Sequence, residues 1–143
     1  RTLYVADRAV RTIWAYDYLP EGPLTNPRVF VQTENFGSGP DGATLDARGF
    51  VWTMLVRIGQ LACFGPDGRL DCMVELPVTH PTSLCFGGSR LDVAYVTSIS
   101  RSTHLAGFQP QDGGLFELSG MPAAGLPPHR FADGGVAGAS VNR

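Results

Sequence analysis

Apolar residues along the chain fall into short runs that are separated by turns rich in glycine and proline, with no long stretch of helical periodicity. One such run, residues 43–45, follows the turn Pro40-Asp41-Gly42 and leads through a polar turn ending at Gly49 into Val51-Trp52-Thr53. Short apolar runs bounded by turn residues are typical of β-strands. Residues 39–53 therefore predict a strand, a turn and a second strand.

The same succession of turn and strands occurs more than once. A second copy spans residues 81–97, and a copy without its first strand opens the chain at residues 2–7. The aromatic residues Tyr4, Trp52 and Tyr95 recur at intervals of about 40 to 50 residues, and a further short strand follows each copy. Four short strands per repeat at this period are typical of a β-propeller blade. We predict an all-β fold of the β-propeller type with about three blades.

Composition supports this fold class and argues against some classes of function. The sequence has 143 residues, of which 18 are glycine, 11 are proline and 43% are hydrophobic, and its net charge is −2. This charge balance predicts no nucleic-acid partner, and no apolar stretch is long enough to span a bilayer. We predict a half propeller over residues 1–132 and a flexible Gly/Ala-rich tail over residues 133–143. Because Arg1 stands directly before a strand, we expect the chain to be part of a longer protein.

The three cysteines are odd in number and lack a C-x-x-C spacing. We predict that Cys63, Cys72 and Cys85 are small buried hydrophobic residues in a reducing cytoplasm, with a diagonal disulfide as the alternative. If residues 65–68 form a four-residue hairpin loop, Cys63 lies opposite Leu70 and Cys72 lies opposite Leu61.

Asp46 and the histidines are interpreted as structural or surface features rather than as ligands, and the polar loop over residues 99–113 has two interpretations. Asp46 ends a strand and is predicted to be a turn residue. The long polar loop over residues 99–113 is interpreted as either functional or mobile. We predict that all three histidines are surface or loop residues rather than metal ligands, namely His80, His104 and His129.

The order of four segments carries a family resemblance. These segments are Leu3-Tyr4-Val5-Ala6-Asp7, Pro40-Asp41-Gly42-Ala43-Thr44-Leu45-Asp46-Ala47, Pro81-Thr82-Ser83-Leu84-Cys85-Phe86-Gly87-Gly88 and Gly113-Gly114-Leu115-Phe116. Over residues 2–132 the chain resembles the C-terminal half of the gluconolactonase, regucalcin and senescence marker protein family of six-bladed propellers. The resemblance implies a metal-dependent hydrolase that opens sugar lactones.

The resemblance also implies a divalent metal on the propeller axis, calcium or zinc, with magnesium and manganese as alternatives. In the family a glutamate, an asparagine and an aspartate from different blades hold this ion, and only the aspartate has a counterpart here, at Asp41. The asparagine belongs to a turn expected just before Arg1, and the glutamate lies further upstream. Asp41 is therefore the candidate metal ligand and catalytic base, and Thr82 is a candidate channel-lining residue one blade later.

Two alternatives stay open at this point. Pro66-Asp67-Gly68 repeats the tripeptide around Asp41 in an apparent hairpin turn, so the motif alone is weak evidence for a ligand. The chain is interpreted as half of a lactonase, inactive alone, or as a non-catalytic fragment serving as a calcium-binding or interaction module. Three blades leave an apolar face at each end, so we expect closure by a missing N-terminal half or by a second copy.

Overall fold

Ten β-strands and two short 3-10 helices make up the fold, which a computed structural model describes for residues 1–128. The predicted tail at residues 133–143 lies outside the described residues, as do residues 129–132 of the predicted half propeller. The helices span Glu34–Phe36 and Val56–Ile58. The strands in chain order are β1 Thr2–Asp7, β2 Thr12–Asp17, β3 Thr25–Gln32, β4 Pro40–Leu45, β5 Val51–Leu55, β6 Gln60–Phe64, β7 Leu70–Glu75, β8 Pro81–Gly87, β9 Val93–Ser98 and β10 Leu115–Leu118.

The strands form three antiparallel sheets in which neighbours in sequence are neighbours in space. The first blade is β1-β2-β3, the second is β4-β5-β6-β7 and the third is β8-β9-β10. The recurring aromatic residues Tyr4, Trp52 and Tyr95 lie on β1, β5 and β9, so β1 is equivalent to the second strand of the complete blade. The prediction of three blades is confirmed. Within residues 1–128, the first blade has no inner strand beside β1 and the third has no outer strand beside β10.

The middle blade is buried on both faces, because it packs between the other two. Along β5 and β6 the side chains alternate between the two neighbouring blades, as the period of a strand requires. One cluster faces the third blade and contains Trp52, Met54, Leu61, Cys63, Leu76, Val78, Leu84 and Val96. The other faces the first blade and contains Ile13, Val31, Val51, Leu55, Ala62 and Phe64.

The two inner strands β4 and β8 approach each other very closely. A Cβ atom added at Gly42 would stand 2.5 Å from the Cα atom of Ser83. Each strand also has a register irregularity at its start, between Pro40 and Ala43 in β4 and between Pro81 and Ser83 in β8. Such bulges redirect side chains and are common beside functional sites.

The hairpin of β6 and β7 departs from its predicted register. Cys63 pairs with Cys72 and Phe64 pairs with Leu70, with a register shift between the two pairs. The predicted pairings of Cys63 with Leu70 and of Cys72 with Leu61 are therefore wrong, because one extra residue, Asp71, interrupts the alternation along β7. Leu70, beyond the shift, is exposed.

The part of the chain that the structure describes contains no helix with the length and apolarity that crossing a membrane requires.

Candidate functional site

Asp41 lies at the start of the inner strand β4, inside its bulge. Pro40 pairs with Leu55 and Ala43 pairs with Thr53, so one residue of the Asp41-Gly42 pair is extra in the register. The hydroxyl of Thr53 donates a hydrogen bond to the carbonyl oxygen of Asp41 at 3.3 Å. This contact fixes the backbone of the bulge to the adjacent strand, while the side chain of Asp41 is left half-buried.

The electrostatic setting of Asp41 differs from that of an ordinary surface carboxylate. Burial raises the pKa of Asp41 above its ordinary value, against the opposing effects of the Arg8 charge and the backbone N–H of Gly42. A half-buried carboxylate with a raised pKa on an inner strand is a reasonable candidate for an ion ligand or a proton acceptor.

The second Pro-Asp-Gly tripeptide provides a direct comparison. The carboxylate of Asp67 accepts a hydrogen bond from the backbone N–H of Arg69 at 3.1 Å, and its side chain is 62% exposed. Asp67 therefore has the geometry of an ordinary turn residue. The same tripeptide sits in two different environments, and only Asp41 lies on an inner strand.

Thr82 occupies the equivalent place on β8, directly after Pro81 and within the bulge of that strand. Its hydroxyl oxygen is 2.8 Å from the hydroxyl oxygen of Thr97. The residues that follow Asp41 and Thr82, Gly42 and Ser83, are in close contact. The structure therefore brings the two predicted segments together where neighbouring inner strands meet.

The fit of a metal ion to Asp41 is partial. Calcium and other hard cations take several oxygen ligands. Among residues 1–128, no other histidine, cysteine or acidic side chain joins Asp41 in a cluster of three ligands. The carboxylate itself suits a hard cation, but within residues 1–128 it stands outside any cluster of three such side chains.

A groove of about 510 Å³ lies elsewhere on the described surface. Its walls come from three segments, residues 57–59, 75–79 and 108–111, and Asp41 is not among them. The groove and the Asp41 segment are therefore separate features of the described residues.

Asp46 lies at the turn between β4 and β5, as predicted, but it is also fully buried, which no local pattern indicated. Its carboxylate accepts hydrogen bonds from the backbone N–H groups of Arg48 at 2.8 Å and Phe50 at 3.0 Å. It also accepts one from the indole N–H of Trp52 at 3.1 Å and pairs with the Arg48 guanidinium at 2.9 Å. These partners satisfy the carboxylate completely, so Asp46 organises the fold and is not free to bind an ion.

The histidine predictions are correct in part. His104 is exposed, as predicted, and His129 lies outside the described residues. His80 lies in the connection before β8, as a loop residue would, but it is buried rather than at the surface. Its Nδ1 atom lies 3.1 Å from the carbonyl oxygen of Val56, and its Nε2 atom lies 3.2 Å from that of Ala106. The imidazole ring thus bridges the segment between β5 and β6, which contains Val56, and the long loop over residues 99–113.

The long loop over residues 99–113 is anchored through one carboxylate. Asp112 accepts hydrogen bonds from the backbone N–H and the hydroxyl of Thr79, both at 2.7 Å, and from the backbone N–H of Gln109 at 2.8 Å. Burial acts to raise the pKa of Asp112, but these hydrogen bonds outweigh it and hold the pKa below its ordinary value. The loop is thus tied to the segment that enters β8.

The three cysteines occupy three different environments. Cys63 is fully buried, Cys72 is half-buried and Cys85 is exposed, so the prediction of burial is wrong for Cys85. None of them is in a disulfide. Burial is the largest effect that raises the pKa of Cys63, to about 12, and Cys72 and Asp71 beside it act in the same direction.

Comparisons with known proteins agree with the blade arrangement. The chain is 35% identical to regucalcin of Gallus gallus over 136 residues, which is 92% of this chain and 46% of that protein. Among solved structures, a luciferin-regenerating enzyme matches with a TM-score of 0.79 and 26% identity, over 87% of this chain and 43% of that one. A calcium-binding regucalcin from Agrobacterium tumefaciens matches with a TM-score of 0.75 and 27% identity, over 91% and 46%.

The chain therefore spans about half the length of the relatives it matches, and its three blades correspond to about half of a six-bladed propeller. The family model described as the SMP-30/gluconolactonase/LRE-like region matches residues 1–100. With this match over more than half of its length, the chain belongs to the SMP-30/gluconolactonase/LRE-like family.

Proposed function

We propose that this chain supplies one half of a metal-dependent hydrolase that opens sugar lactones, and that Asp41 is the metal ligand of this half. The observation that carries the proposal is the half-buried Asp41 carboxylate in the bulge of an inner strand, with a raised pKa. Membership of a family named in part for gluconolactonase supports the substrate class. A related regucalcin that binds calcium supports a hard divalent cation, with zinc, magnesium and manganese as alternatives.

In this proposal the chemistry of this half comes from two segments, one around Asp41 and one around Thr82. A bound cation supplies Lewis acidity toward the lactone carbonyl. The Asp41 carboxylate would hold the cation, and it is also the candidate general base that accepts a proton as water adds to the carbonyl and the ring opens to a hydroxy acid. Thr82, on the neighbouring inner strand, would line the channel through which the lactone enters. The remaining ligands would come from a missing N-terminal half.

The location in a reducing cytoplasm is part of the same proposal. It is supported by the three free thiols of the described residues.

The test is hydrolysis of gluconolactone with added calcium, zinc or manganese. This chain alone is expected to be inactive, because one carboxylate does not hold a catalytic ion. In a protein that contains both halves, Asp41→Asn is expected to lower kcat/KM at least about 100-fold, whereas Asp67→Asn leaves it unchanged. Metal-dependent turnover by the chain alone that vanishes in Asp41→Ala would contradict the two-half assignment. Full activity of Asp41→Asn in the complete protein would refute the role of Asp41.

A second candidate function has its own supporting observation. Within residues 1–128, Asp41 belongs to no cluster of three His, Cys, Asp or Glu side chains and lines no part of the groove described above. A non-catalytic calcium-binding or interaction module would need neither a lactone pocket nor a base. Calcium binding in the complete protein without lactone turnover would favour this alternative.

A further inference from the structure

Two thiols and a carboxylate lie together at the outer side of the middle blade. Cys63 on β6 and Cys72 on β7 are direct partners across the antiparallel pair, and Asp71 precedes Cys72. The sulfur atoms of the two cysteines and a carboxylate oxygen of Asp71 all lie within 4.8 Å of one another. Their strands are the third and fourth of the blade, on the far side from β4 and Asp41.

The β-bulge explains why Asp71 belongs to this cluster. Adjacent residues of a regular strand point to opposite faces of the sheet, which would separate Asp71 from Cys72. Here Cys63 pairs with Cys72 and Phe64 pairs with Leu70, so Asp71 is the extra residue of the register. A bulge of this kind redirects a side chain locally. The carboxylate thereby reaches the side of the sheet that holds both thiols.

We propose that Cys63, Cys72 and Asp71 form a binding site for a thiophilic divalent cation of the zinc class. Soft thiolate ligands select such ions, and tetrahedral zinc accepts sulfur and carboxylate oxygen together. With zinc–sulfur bonds of about 2.3 Å, two ligating sulfurs stand about 3.8 Å apart, so the observed cluster needs only a small contraction. Three protein ligands leave the fourth position to water.

Solvent access is suitable for such a site. Asp71 is exposed and Cys72 is half-buried, so an ion can enter from solvent, while Cys63 closes the site from the core side. The Arg48 guanidinium near this cluster is already paired with Asp46 at 2.9 Å. Burial raises the pKa of Cys63, so the charge that stabilises the two thiolates is that of the divalent ion itself. Binding exchanges the two thiol protons for the ion and releases them to solvent.

The experiment uses the full 143-residue chain, kept reduced with a phosphine that contains no thiol. Titration with Co²⁺ is expected to give a sulfur-to-metal charge-transfer absorption that saturates at one ion per chain, and Zn²⁺ is expected to displace it. Cys72→Ser should weaken Zn²⁺ binding at least about 100-fold, and Asp71→Asn about 10-fold. The matched controls are Cys85→Ser, whose thiol is exposed and outside the cluster, and Asp67→Asn, whose carboxylate belongs to an exposed turn. Both should bind as the unchanged chain does.

A second measurement covers the possibility that a cysteine variant fails to fold. Saturating Zn²⁺ is expected to slow alkylation of Cys72 in the unchanged chain at least about 10-fold, while alkylation of Cys85 continues at its original rate. Absence of the charge-transfer band, or equal Zn²⁺ affinity in a folded Cys72→Ser chain, would overturn the proposal. Equal alkylation of Cys72 with and without Zn²⁺ would also overturn it. Because Asp41 takes no part, these outcomes are independent of the proposed lactonase function.

Discussion

The indole N–H of Trp52 donates a hydrogen bond to the carboxylate of Asp46 at 3.1 Å, and both side chains are fully buried. Trp52 is also a member of the cluster between the second and third blades. The hydrogen bond thus links the turn between β4 and β5 to the largest side chain of the core.

Replacement of Asp46 by alanine is expected to destabilise the chain by about 3 kcal/mol. The substitution leaves the Trp52 indole N–H and the Phe50 backbone N–H without their acceptor in a buried setting, and each such loss costs about 1 to 3 kcal/mol. Urea unfolding followed by tryptophan fluorescence measures the change. The control is Asp67→Ala, because Asp67 occupies an exposed turn, and its expected cost is below about 1 kcal/mol. Equal costs for the two variants would contradict the assigned role of Asp46.

Stability is expected to fall at low pH partly through Asp46. Burial acts to raise the pKa of Asp46, but hydrogen bonds from Trp52, Arg48 and Phe50 outweigh it and hold the pKa below its ordinary value. A carboxyl with a lowered pKa in the folded state stabilises the fold above its ordinary pKa of about 4, and this contribution is lost as the pH falls below that value. Urea midpoints should show that the stability difference between the unchanged chain and Asp46→Asn narrows from pH 6 to pH 3. A difference that stays constant over this range would contradict the linkage.

Gly42→Ala is expected to destabilise the contact between the inner strands. The added methyl group would stand 2.5 Å from the Ser83 Cα atom, closer than packed atoms approach, so β4 or β8 must move. Overpacking of this kind costs about 1 to 3 kcal/mol. Gly22→Ala is the matched control, because its added Cβ would have only an ordinary contact at 3.7 Å with Leu19. Thermal unfolding of the two variants distinguishes the effects, and an unchanged midpoint in Gly42→Ala would contradict the close approach.

Self-association of the isolated chain is the fourth expectation. The first blade exposes Leu3, Val5 and Val29, and the third exposes Leu115 at 69%. Apolar sheet faces of this kind are covered in closed propellers, so sedimentation should show a dimer or a larger assembly. A dimer of three-blade arcs with two-fold symmetry would close a six-bladed ring. Val5→Glu should weaken the association, whereas Val10→Glu, in the turn after β1, should not. A folded monomer whose unfolding is independent of concentration would refute this prediction.

The blade order could be predicted from the sequence because it depends on local signals. Turn residues and apolar runs mark each strand, and the spacing of Tyr4, Trp52 and Tyr95 places equivalent strands in successive blades. The same order placed Asp41 at the start of a blade, although its segment was predicted as a turn and is the beginning of β4. Its function as a metal ligand remains a prediction, because the ligands that would complete the site are not among the described residues.

The missed features depend on contacts that are distant in sequence or on one extra residue. The buried His80 ring contacts the carbonyl groups of Val56 and Ala106, which are 24 and 26 residues away in sequence. No local pattern in the sequence indicates these two contacts. The pairing of Cys63 with Cys72 required knowledge of a bulge, since one additional residue changes every partner beyond it. The burial of Asp46 had no local signal either, although its partner Trp52 is only six positions away on the next strand.

The burial of both faces of the middle blade has a consequence for how the chain opens. Since β5 and β6 contribute side chains to the clusters with both neighbours, neither cluster can be exposed without disturbing the same two strands. The backbone amides of β5 and β6 should therefore exchange with solvent deuterium only through complete unfolding. Amides along the free edges of β1 and β8 can exchange through local fraying. The central strands thus make the three blades a single cooperative unit, with its slowest-exchanging hydrogens around Trp52 and Ala62.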